Sequence, residues 1–139
     1  MKKSYLILLM AIVCISSCGK NSDPIPSVAV YIQGSLLSPQ FSALRGVGVA
    51  INISGGVAGI VVYHRGDGAY VAYDRCSSYQ PEKRCAVTID KGDLTVTDPC
   101  SGSVFSLYDG TPAKKPASQS LLQYSVFVDA GYNIVIQNY

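Results

Sequence analysis

From Val28 onward the apolar residues recur at every second position, and turn residues break the pattern at short intervals. Val47, Val49, Ile51 and Ile53 alternate with Gly48, Ala50 and Asn52, which predicts one buried face and one small or polar face. Further strands are predicted over Val28–Gln33, Gly59–His64, Tyr70–Asp74, Cys85–Asp90, Leu94–Asp98, Val104–Leu107, Gln123–Asp129 and Asn133–Gln137. Between them Gly55-Gly56, Asp67-Gly68, Lys91-Gly92-Asp93 and Ala130-Gly131 each supply a residue that tolerates positive φ, as hairpin turns require. Thr111 to Ser120 carries two prolines, which excludes it as a central strand. No later window supports a helix of ordinary length. The expectation is an all-β domain of about nine short strands in packed small antiparallel sheets.

The first residues have a different texture. Lys2 and Lys3 precede an apolar run from Tyr5 to Ile15 and then small residues, the composition of an export signal. The run is too short to span a bilayer as a mature helix. Its end, Ile15-Ser16-Ser17-Cys18, resembles a bacterial lipoprotein signal, in which the cysteine is lipidated and becomes the new N-terminus. An ordinary cleaved signal would instead leave Cys18 as a free thiol, and Cys14 would be removed either way. The expected organisation is a signal peptide over 1–17, a lipid-anchored tether over 18–27 containing the two prolines of "NSDPIPS", and one β domain over 28–139. Acyl chains on Cys18 would bury methylenes at roughly 0.8 kcal/mol each, so the expected partner is a membrane. The expected location is the cell envelope, in the outer membrane facing the periplasm or the surface.

Charge narrows the choice of partner. Removal of Lys2 and Lys3 leaves nine basic residues against nine acidic ones, and no stretch is strongly basic, so nothing argues for nucleic acid. Ten tyrosines and no tryptophan could form a stacking surface, but Tyr63, Tyr70, Tyr73 and Tyr124 fall within predicted strands, where tyrosine is a good packing residue. Cys76, Cys85 and Cys100 lack the close pairing that structural zinc prefers. Serines, Asp98 and Asp109 are present, but a nucleophile elbow is not, and the single histidine, His64, reads as a solvated residue at a hairpin end.

The segment "GGVAGIVVYHRGDGAYVAYDRC", followed by "SSYQPEKRCAVTIDKGDLTVTDPCSGSVFSLYDGTPAKKPASQSLLQYSVFVDAG", resembles a Rieske domain from about Val28 to the C-terminus. It is most similar to small Rieske-like lipoproteins of Bacteroidetes type. The resemblance rests on Asp74-Arg75-Cys76, the "PC-x-GS-x-F" run from Pro99 to Phe105, the Asp109-Gly110 turn, Pro112, Pro116 and the "LLQY" lead into the next strand.

A Rieske cluster is a two-iron two-sulfur centre with one iron held by two thiolates and the other by two imidazoles. The resemblance places the ligands as Cys-x-His on one loop and Cys-x-x-His on another. On this chain those positions are Cys76, Ser78, Asp98 and Ser101. Hydroxyls are poor iron ligands, and a carboxylate is harder than the thiolate it replaces. The family also implies a disulfide between the two loops, which maps onto Cys85 and Cys100, with Cys76–Cys100 as the alternative pairing. Closing a loop of about 15 residues would stabilise the fold by roughly 3 kcal/mol. Cys76 is then a lone thiol, either buried and inert or redox-sensitive. Ser103 matches a residue that hydrogen-bonds a cluster sulfide in the family and Gly102 one that lets the backbone approach, although turn chemistry alone would select both. Phe105 matches an aromatic loop-support position.

The expected function is a non-enzymatic, cluster-free module at the envelope, structural or interacting with an envelope protein, with no cofactor. The alternative is an electron-transfer component that binds a two-iron two-sulfur cluster through altered ligands, such as Cys76, Cys85, Cys100 and Asp98.

Overall fold

The computed structural model of the protein describes residues 25–138. The expected signal, Cys18 and the first part of the tether lie outside the described residues. Ten strands are present: β1 (Tyr31–Ser35), β2 (Ala50–Ile53), β3 (Ile60–His64), β4 (Tyr70–Asp74), β5 (Thr88–Ile89), β6 (Thr95–Thr97), β7 (Val104–Ser106), β8 (Pro112–Lys114), β9 (Gln123–Val128) and β10 (Asn133–Gln137). Among the described residues the only helical elements are short 3-10 turns at Ser42–Arg45 and Pro81–Lys83. The strands form a six-stranded sheet in the order β1-β10-β9-β4-β3-β2 and a four-stranded sheet in the order β5-β6-β7-β8, with every pairing antiparallel.

The uninterrupted apolar run of β3 explains how the two sheets share one core. Ile60 and Val62 point into a cluster with Phe41, Leu44, Ala72, Tyr124, Ile134 and Ile136. Their neighbours Val61 and Tyr63 point the other way, to Tyr73, Val96, Phe105 and Leu107. Side chains alternate across a strand, so β3 and β4 are the layer common to both clusters. The first cluster lies on one face of the large sheet, and the second, on the other, joins it to Val96, Phe105 and Leu107 of the small-sheet region.

Several sequence expectations shift in detail. The first strand begins at Tyr31, after an extended lead-in tied to the C-terminus by bonds between Asn138 and the backbone of Val28 and Val30. Val47 and Val49 precede their strand, which starts at Ala50, and Val47 is exposed. The strand expected over Cys85–Asp90 shrinks to Thr88–Ile89, because Cys85 is drawn into a loop. The proline-rich segment does contain a strand, β8, but at the edge of the small sheet, where proline costs no ladder bond. At the Ala130-Gly131 turn the positive φ falls on Tyr132. His64 is buried, not solvated: its Nδ1 lies 3.2 Å from the Gly46 carbonyl oxygen and its ring stacks on Tyr70.

A candidate tip built from two loops

β4 delivers its last residue, Asp74, to the end of the molecule where two loops meet. The first loop runs from Arg75 to Val87. It is pinched at its base, where Cys76 bridges Ala86, Ser77 N–H donates to the Cys85 carbonyl, and Val87 N–H donates to the Arg75 carbonyl. The second joins β6 to β7 and turns tightly, with Gly102 N–H donating to the Asp98 carbonyl and Asp98 N–H to the Ser103 carbonyl, both at 2.8 Å. Gly102 takes φ 75°, so the turn selects glycine without reference to any ligand. Cys85 and Cys100 form a disulfide across the two loops, their Cα atoms 6.3 Å apart. The pairing is therefore Cys85–Cys100, and Cys76 is free and buried.

Two buried carboxylates organise the loops. Asp74 accepts from the N–H groups of Val57 (2.6 Å), Ala58 (3.2 Å) and Cys76 (2.7 Å), and from the Tyr124 hydroxyl (2.7 Å). Gly56, at φ 63°, abuts this carboxylate so closely that a Cβ would collide with it. Asp98 accepts from Cys100 N–H (2.8 Å) and the Ser101 hydroxyl (2.6 Å). Burial pushes the Asp98 carboxyl up, but hydrogen bonds from Ser101, Ser77 and the Cys100 and Ser101 amides outweigh it and hold it below the ordinary carboxylate value.

The remaining side chains close on the protein itself. Ser78 donates to the Gln119 carbonyl at 2.6 Å, tying the first loop to the proline-rich segment. Ser101 and Ser103 hydroxyls lie 2.8 Å apart, and Ser103 Oγ accepts from Ala117 N–H at 3.0 Å. The Cys76 sulfur lies 3.5 Å from the Pro81 carbonyl oxygen. Burial, reinforced by the Asp74 carboxylate, raises this thiol to about 11 despite the opposing Arg84 charge, so it is inert at neutral pH. Phe105 does not line the tip; it is buried in the core cluster with Val96 and Leu107. His64 pairs with Tyr70 at the far end of the β3–β4 hairpin, where Ile60 pairs with Asp74 at the near end, so no imidazole reaches either loop among the described residues.

The Cys85 and Cys100 sulfurs and the Asp98 carboxylate also lie within 4.8 Å of one another. With both sulfurs joined in the disulfide, that trio offers a metal no thiolate. In the sequence Tyr124 has only the signature of a packing residue, and Asp74 none beyond its place beside Arg75 and Cys76. Their mutual bond spans 50 residues and had no local signal.

Known structures share this fold of curled antiparallel sheets. The cyanobacterial plasma membrane Rieske protein PetC3 from Synechocystis PCC 6803 superposes with a TM-score of 0.54 at 21% identity, over 81% of this chain and 100% of that one. The fold is Rieske-like. The quaternary ammonium Rieske monooxygenase CntA gives a TM-score of 0.53 at 17% identity over 83% of this chain, which spans 32% of that larger protein. The ferredoxin of carbazole 1,9a-dioxygenase from Nocardioides aromaticivorans IC177 matches over 81% of this chain and all of its own, with a TM-score of 0.48 and 22% identity. No family model and no curated protein matches the sequence. At these identities the Rieske-like likeness concerns the fold alone.

Proposed function

We propose that this chain is an exported lipoprotein of Bacteroidetes type, anchored through a lipid on Cys18, whose Rieske-like domain carries no two-iron two-sulfur centre. It acts as a non-enzymatic structural or interaction module at the cell envelope, in the outer membrane facing the periplasm or the surface, with an envelope protein as the expected partner. The observation that carries this reading is the state of positions 76, 78, 98 and 101. They present one buried protonated thiol, two hydroxyls and one carboxylate, each of the oxygen groups hydrogen-bonded within the protein. That donor set does not fit a centre that needs two thiolates and two imidazoles. The remaining two sulfurs are consumed by the disulfide, which makes the tip a rigid, closed surface.

Purified protein expressed in a periplasm tests this. Iron and acid-labile sulfide should be absent in stoichiometric amount, and the solution should be colourless. Denatured protein should titrate one thiol, Cys76, before reduction and three after it. Stoichiometric iron and sulfide without the disulfide would overturn the reading in favour of an electron carrier.

A further inference from the structure

The exposed charges of the domain are sorted between its two ends, and so is the point where the tether leaves. β9 is antiparallel to β4 and begins at the end where β4 delivers Asp74. β10 is antiparallel to β9, and β1 to β10, so β1 starts toward that same end, with Tyr31 opposite Gln137. The lead-in before Tyr31 therefore departs on the side of the two loops. Only six residues lie between Cys18 and its first described residue, Ile25, so the seven steps reach about 25 Å when fully extended.

The loop end is basic. Lys83 and Arg84 are exposed on the first loop, directly before Cys85. Lys114 and Lys115 are exposed on the other side of the second loop, where Lys114 pairs with Val104 and the backbone two residues beyond Lys115 binds Ser103. Among the described residues Glu82 is the one exposed carboxylate beside these four cations, since Asp74 and Asp98 are buried. The far end carries the hairpin turns with Asp67, Asp93, Asp109 and Asp129, against Arg45, Arg65 and Lys91. Arg65 is already paired with Asp67 there.

We infer that the two-loop tip docks on the anionic bilayer to which the chain is tethered, with Lys83, Arg84, Lys114 and Lys115 against the lipid headgroups. This rests on the lipid anchor proposed above. A short tether leaving from the basic end holds that end near the membrane. Anionic headgroups attract the four cations, while the acidic far end is repelled and faces the aqueous phase. Neutral overall charge would hide this polarity from any sequence-wide count.

The test uses the full lipidated chain in vesicles of 70% phosphatidylethanolamine and 30% phosphatidylglycerol, with pulse acetylation of lysines read by mass spectrometry. Labelling of Lys83, Lys114 and Lys115 should fall about 5-fold or more relative to Lys91. It should return in 1 M salt and in pure phosphatidylcholine vesicles. In an Arg84→Glu, Lys114→Glu variant, Lys83 and Lys115 should lose their protection. Equal labelling at both ends in the anionic vesicles, or protection that is the same in phosphatidylcholine, would overturn the docking while a lipid mass on Cys18 leaves the anchor standing. A Cys18 without lipid would overturn both. Protection found in whole cells but not in these vesicles would also overturn it, in favour of a protein partner at the tip.

Discussion

The Tyr124 hydroxyl donates to Asp74 Oδ2 at 2.7 Å, joining the start of β9 to the end of β4 inside the core. The same carboxylate holds the amides of Val57, Ala58 and Cys76, so one bond from a distant strand fixes the anchor of the first tip loop.

Tyr124→Phe should therefore destabilise the domain by about 2 kcal/mol, the range for a hydrogen bond to a charged group. Asp74→Ala should cost more, because it strands several buried donors at once. Urea unfolding followed by tyrosine fluorescence or far-UV dichroism measures both. A Tyr124→Phe midpoint equal to the parent's would show that the hydroxyl contributes nothing.

The disulfide closes a loop between residues 15 apart in sequence. Its removal by a Cys85→Ala, Cys100→Ala pair should lower stability by about 3 kcal/mol in the chain-entropy account. Thermal melting of parent and variant decides the matter, and coincident curves would reject a stabilising role.

Cys76 should resist alkylation. In native protein at pH 8, iodoacetamide should leave it unmodified over a period in which denatured protein reacts fully, because the thiol is buried and raised to about 11. Modification of native protein at the rate of a free thiol would show that the first loop opens.

Alkaline stability follows from the same burial. Burial raises Cys76 to about 11 from the ordinary thiol value of 9.0, and Tyr73 to about 12 from the ordinary phenol value of 10.0. In both cases the native state keeps a proton that the unfolded state has already lost, so stability is whole below about pH 9 and declines as pH rises toward 12. Burial and the adjacent Asp74 carboxylate push Tyr124 up as well, in the same direction. Urea midpoints measured from pH 7 to 11 should fall above pH 9, and the fall should lessen in Cys76→Ala. A flat profile would contradict the burial of these groups.

In acid the sign reverses for Asp98. Its carboxyl lies below the ordinary aspartate value of 3.8: burial pushes it up, but the hydrogen bonds from Ser101, Ser77 and the loop amides outweigh burial. The stability it contributes is present above the unfolded value and is lost as pH falls through the native one. Ser101→Ala should move that acid loss to higher pH, observable in urea midpoints between pH 5 and 2.

Local patterning determined much of this protein. Period-two alternation and turn residues were enough for the all-β class, for β4 and β10 to the residue, and for the tight turn at Gly102. These features depend on a few consecutive residues, and backbone sterics and side-chain alternation act at that range. The family likeness added the Cys85–Cys100 pairing, which residue spacing alone left open against Cys76. Tertiary structure decided the rest. Only the folded chain buries His64 against Tyr70, turns the Phe105 ring into the core, and admits the proline-rich segment as an edge strand. Only the folded chain brings Tyr124 to Asp74 and gathers Lys83, Arg84, Lys114 and Lys115 around one loop. Those outcomes follow from packing and charge between segments far apart in sequence, and such energies are set by distances that exist only after folding.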